Sequence, residues 1–178
     1  MGWLIAATCW GFGEATLFFI LPDVILTTIA VESLRRGLTA CAYALVGALI
    51  GGTLMYCWGA QSPDDAATAV SRVPLIGTER VADVRTELAD HGVVAVITGP
   101  INGTPYKIYA VEAHRSGTPY PEFIAASVPA RSIRFVGTTV IAWAASRYLL
   151  PSASLRTKYI LLASVWTLIY VAYTLANT

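Results

Sequence analysis

Six ionisable side chains stand inside otherwise apolar sequence: Glu14, Asp23, Lys107, Glu112, Arg131 and Arg134. An acid in hydrocarbon costs roughly 2.5–3.5 kcal/mol on insertion scales, so such residues must face protein or water. Arg131 and Arg134 are three apart and share a helix face, where two guanidinium groups at depth need counter-charges. Glu14 and Asp23 are available for that role. Two chemistries fit. In the first, carboxylates poised between burial, which raises their pKa, and a neighbouring arginine, which lowers it, take up protons while the arginine forks hold an anion. In the second, the charges neutralise one another and only hold the fold together. Lys107 and Arg115, near segment ends, can serve the anion or extend to a headgroup region. Glu122 follows Pro121 near a helix start and reads as an acid favoured by the helix dipole.

Other chemistries are poorly supported. The cysteines (Cys9, Cys41, Cys57) are widely spaced in apolar sequence and read as buried, inert thiols. His114 has no ligand partner at a suitable spacing and reads as a polar interfacial residue. We therefore expect no metal, no cofactor and no enzymatic centre.

Composition sets the class. The chain has 178 residues, of which 56% are hydrophobic and 13% charged, with mean hydropathy +0.60. Soluble domains carry roughly 25% charge, so this chain has about half the usual solvating surface. A net charge of +1 gives no basic face for nucleic acid. No basic stretch precedes the apolar start and Glu14 interrupts it, which is unlike a signal peptide. The class expected is an all-α integral membrane protein.

The elements that would position the charges follow in order. Residues 3–31 are apolar around Glu14 and Asp23 and are expected to fold back at Pro22 as a re-entrant hairpin, with one tilted helix as the alternative. Glu32–Gly37 reads as a polar connection and 38–60 as a spanning helix. There Gly47-x-x-x-Gly51 admits a close neighbour, either within the fold or across a homo-oligomer interface. Residues 62–91 read as an amphipathic surface connector. Ser62 would cap its first helix and Thr78 its second, Val81, Val84 and Leu88 form an apolar stripe, Gly92 stops it, and its charges read as a solvated face. Residues 92–117 hold two prolines and several glycines, which rule out an unbroken helix and suggest a second re-entrant hairpin. An Arg-bearing spanning helix over 121–147, kinked near Pro129, and a final span over 159–177 complete about three spanning helices. Hairpin, turn and helix thus occur twice with opposite orientation, as in inverted-repeat transporters. Arg35, Arg36, Arg147, Arg156 and Lys158 fall on one side and Arg72, Arg80 and Arg85 on the other; five against three favours the first side as cytoplasmic.

Three stretches carry a family resemblance. GFGEATLFFILPDVIL at 11–26 resembles the first re-entrant segment of the DedA family, also called VTT-domain or SNARE-associated Golgi proteins. ELADHGVVAVITGPINGTPYKIYAVEAHRSG at 87–117 resembles the second, and PEFIAASVPARSIRF the helix that follows it. The resemblance implies a bacterial or archaeal cell-membrane protein that moves an anionic lipid, a polyprenyl phosphate or a phospholipid, between leaflets with proton coupling. It makes Glu14 and Asp23 candidate proton-coupling acids, Arg131 and Arg134 candidate phosphate-holding cations, and Lys107 a secondary one. The alternative remains a structural or assembly membrane protein.

Overall fold

A single long helix rich in small residues organises the packing. The computed structural model describes residues 2–100 and 102–176, all of whose regular structure is helical. The order is α1 Gly2–Ala15, α2 Asp23–Ala30, α3 Leu34–Gln61, α4 Pro63–Ser71, α5 Thr78–His91, α6 Val93–Thr98, α7 Tyr106–Glu112, α8 Tyr120–Ala144, a π-helical turn Ala145–Leu149, and α9 Leu155–Ala176. α3 packs against α1, α2, α7 and α8. Its glycines set how near each neighbour comes: Gly47 lies against the backbone of Thr8 and Phe12, Gly52 against the Tyr106 ring, and Gly59 against the Val111 backbone. The Gly47/Gly51 face is therefore filled from within, by α1.

The first apolar stretch is two helices and not one. α1 ends at Ala15, seven residues lie between it and Asp23, and that break, 16–22, closes with Pro22. The chain therefore leaves helix at Thr16, earlier than the expected fold-back at Pro22. The second interrupted stretch matches it, with α6 and α7 separated by 99–105 and that break closing with Pro105. In it Gly103 has φ +91°, a left-handed conformation open to glycine at little cost. Ile101, within the expected 92–117 hairpin, lies outside the described residues.

Several boundaries differ from expectation for one physical reason: charged turns extend apolar helices beyond their hydrophobic part. α3 begins at Leu34 because Ser33 accepts a hydrogen bond from the Arg36 amide (3.4 Å), so Arg35 and Arg36 are helical and not a loop. Likewise α9 begins at Leu155, with Ser154 accepting from the Thr157 amide (3.2 Å); Asn177, the expected end of that span, lies outside the described residues. Ser62 occupies the cap of α4, but its side chain makes no capping bond, and the cap of α5 is Gly77, one residue before Thr78. Gly92 does end α5, at φ +56°. Val81, Val84 and Leu88 are buried as the stripe required.

α3 and α9 are long and apolar enough to cross a membrane. α8 has the length, with 25 residues, but carries Glu122, Arg131 and Arg134 and falls outside that composition. Apolar surroundings also misled the thiol assignment. Cys41 is buried, while Cys9 and Cys57 are exposed on outward helix faces that are themselves apolar.

The connector is less passive than its solvated charges suggest. Arg85 of α5 donates two hydrogen bonds to the buried Glu112 carboxylate (2.9 and 3.2 Å), Tyr109 donates to Glu87, and Arg115 pairs with Asp64 at 2.8 Å. The carboxylate holds the Arg85 guanidinium above its already high pKa. α4 and α5 are thereby fastened to α7 and the turn after it.

A Cβ at Gly47 would meet α1 backbone, which cannot rotate away. We expect Gly47→Val to cost about 1–3 kcal/mol, as overpacking does, read as a fall in the thermal midpoint in detergent. Val46→Ala, on the exposed neighbouring face, should leave the midpoint within about 0.5 kcal/mol equivalent.

Candidate functional site: a charged cavity between two helix breaks

Local folding brings the five candidate residues together. Glu14 is the penultimate residue of α1 and Asp23 the first of α2, so the two acids flank the first break. Lys107 stands one residue into α7, after the second break. Arg131 and Arg134 project from the middle of α8.

The arginines are already paired. Arg131, wholly buried, donates through Nη2 to Glu14, itself 2% exposed. Arg134 Nη2 lies 2.7 Å from Asp23 Oδ2, and Thr138 Oγ1 donates to Asp23 Oδ1 at 2.8 Å. Thr138 was missed in the sequence, although it lies one helical turn from Arg134 and two from Arg131, on the same face. The rest of the Arg131 guanidinium is held by ring faces: its centre lies 5.0 Å from the Tyr106 centroid and 4.6 Å from that of Phe135. Its Nε and Nη1 make no hydrogen bond to the described residues. Such cation–π contacts gain about 2 kcal/mol or more when desolvated. Tyr106 is fixed in turn, since its hydroxyl donates to Ser127 Oγ (2.8 Å), which donates to the Phe123 carbonyl (2.7 Å).

Lys107 does not extend to an interface. It is 2% exposed, and its ammonium donates to the Phe18 carbonyl at 2.6 Å, tying the second break to the first. Two further bonds hold the first break: Trp10 Nε1 donates to the Ile20 carbonyl (3.0 Å) and the Leu21 amide donates to the Tyr170 hydroxyl (2.8 Å). The second is braced by the Thr104 amide bonding back to the Gly99 carbonyl (3.0 Å). Part of the irregular backbone of both breaks thus has hydrogen-bond partners.

Between the breaks lies a cavity of about 500 Å³. Glu14, Lys107 and Arg134 supply its charged wall, and residues such as Phe19, Ile133 and Ile169 its apolar walls. The α4–α5 turn contributes Val73 to Ile76, where Leu75 takes φ +67°. Arg131 and Asp23 do not reach the cavity wall; they sit behind it as partners of Glu14 and Arg134. Glu112 belongs to the Arg85 clasp and not to this cluster. His114 is exposed, with Nδ1 3.4 Å from the Tyr56 hydroxyl. The described residues contain no cluster of three or more potential metal ligands. No family model, curated protein or solved structure matches this chain.

Removing one partner from a buried ion pair leaves the other charge uncompensated, at a cost of about 3–5 kcal/mol. We expect Glu14→Leu or Arg131→Met alone to cause that loss of stability, and the double variant to recover most of it. A thermodynamic cycle on detergent-solubilised protein measures the coupling. Simple additivity would show that the pair does not act as a unit.

Proposed function

We propose that this chain is an integral membrane protein that binds the anionic headgroup of a lipid in the cavity between its two helix breaks and carries it between leaflets. The observation that carries the binding reading is the cavity itself. It has three charged side chains, a largely apolar remainder, and a volume of about 500 Å³, within the ~300–1,000 Å³ typical of ligand sites.

Surface composition supports the membrane setting. The apolar window of α9 has no buried residue, and Ile160, Leu168, Val171 and Leu175 are each at least half exposed. On α3, Val46, Ile50 and Leu54 form an outward apolar ridge, and on α8 Ile133 and Ile141, which line the cavity, are also exposed. Monomers in water rarely expose such continuous area, whereas lipid chains cover it without cost.

The packing supports an inverted repeat of α1–α3 and α6–α8 on either side of the connector. α1 packs on α3 as α6 packs on α8, and α2 packs on α8 as α7 packs on α3. The breaks match in length and in their closing proline. In this reading both halves are re-entrant and α8 crosses with its charges turned inward. The movement between leaflets follows from the DedA resemblance, and an inverted repeat gives it a means, the rocking of one half against the other about a central site. In this reading Glu14, which lines the cavity, is the proton-coupling carboxylate, and Asp23 holds Arg134.

The two ion pairs favour a second reading, in which the charges serve assembly alone. A leaflet-resolved assay separates the two. Vesicles containing the protein should lose the asymmetry of a fluorescent anionic lipid faster than protein-free vesicles, at a rate that changes with a pH gradient. Arg134→Gln should slow that movement at least tenfold at equal incorporation. A wild-type rate equal to that of empty vesicles would leave only the assembly role.

A further inference from the structure

The buried charges do not balance, and the imbalance rests on one side chain. Glu14 neutralises Arg131 and Asp23 neutralises Arg134. Glu112, the other buried carboxylate, is neutralised by Arg85 on the far side of α7. Lys107 remains. It is buried and lines the cavity, and among the described residues its ammonium has one hydrogen bond, to the Phe18 carbonyl, and no carboxylate in ion-pair range. A carbonyl dipole satisfies one of the three ammonium donors and none of its charge. An unpaired buried charge is costly, and a bound anion removes that cost.

We infer that Lys107, and not either arginine, is the direct counter-ion of the ligand, and that the cavity selects an amphiphile with one net negative charge over a zwitterion with the same tail. This rests on the reading of the cavity as a lipid-headgroup site and adds to it the ligand's charge and the residue that recognises it. The arginines have their charge and fork engaged by carboxylates, so a second anion there would have to displace Glu14 or Asp23. The ammonium needs no displacement: its one hydrogen bond leaves two donors for a ligand, and the residue lines the cavity. The apolar part of the lining, with Phe19, Leu21, Ile133, Ile141 and Ile169, suits the start of a lipid chain. A volume of about 500 Å³ accepts a headgroup and the start of one chain.

Equilibrium binding to the full chain in a neutral detergent tests this with three probes. These are lysophosphatidylglycerol (net −1, one chain), lysophosphatidylcholine (the same phosphodiester and chain, net zero) and glycerol phosphate (the anion with no chain). The expected result is at least tenfold preference for the first over the second, with weaker binding of the third. Lys107→Gln keeps a donor for the Phe18 carbonyl but removes the charge, and should shrink the preference below twofold. The two lysophospholipid affinities of the unaltered protein give a measurement independent of that variant's folding. Equal affinity for the charged and zwitterionic probes, or an unaltered preference in Lys107→Gln, would each overturn the inference. Glycerol phosphate binding as tightly as the chained anion would reassign the site to a free soluble anion and overturn the amphiphile part. Charge-selective binding without lipid movement would remove the transport reading and leave this one standing. Lipid movement without charge selectivity would do the reverse.

Discussion

Burial of ionic groups next to broken backbone is the constraint on which this structure depends. Two carboxylates and two guanidinium groups lie where water is scarce, and each is held by a partner of opposite charge from another element. An unbroken helix would hold Glu14 and Asp23 about 13 Å apart on opposite faces, so that α8 could not reach both. The break brings both acids to α8, which presents Arg131 to one and Arg134 to the other. The break in turn exposes carbonyls and amides that need partners, and Lys107, Trp10 and Tyr170 supply them. Charge pairing and backbone satisfaction are therefore one arrangement.

That arrangement is possible because α3 leaves room for it. Gly47 and Gly52 let α1 and the Tyr106 ring approach the helix closely. Tyr106 is then near enough to lie against the Arg131 guanidinium. From a glycine on α3 to a tyrosine on α7 to an arginine on α8, a small residue on one helix decides whether a charge on another can be buried. On the opposite side of α7, the Arg85–Glu112 clasp joins the surface connector to the same helix. The second break and the connector are thus joined through α7, and the connector's turn also forms part of the cavity wall.

Much of this was legible in the sequence, because it depends on residue type at fixed spacing. Proline before Asp23 and before Tyr106 marks where helices can start, Gly92 marks a stop, and a three-residue separation puts Arg131 and Arg134 on one face. What was illegible depends on which distant groups meet. Nothing in spacing says that Glu14 takes Arg131 and leaves Arg134 to Asp23, which withdraws Arg131 from the cavity and leaves Lys107 as the unbalanced cation. Arg85 sat in a charge run that looks solvated by composition, yet its partner is a buried acid 27 residues away. The starts of α3 and α9 were placed late because a hydropathy pattern ends where the charged turns of a helix begin. Cys9 and Cys57 were misplaced by the same reasoning, since an apolar neighbourhood on an outward face does not mean burial.

In the proposed reading the two halves enter the membrane from opposite faces, so that the cavity lies between two opposed breaks. Sided labelling in sealed vesicles tests that directly. On a background in which Cys9, Cys41 and Cys57 are replaced by alanine, single cysteines are introduced at the exposed positions Arg36, Arg72 and Ser152 and treated with a membrane-impermeant maleimide. The account predicts that positions 36 and 152 label from one face and position 72 only from the other. Labelling of all three from the same face would contradict it.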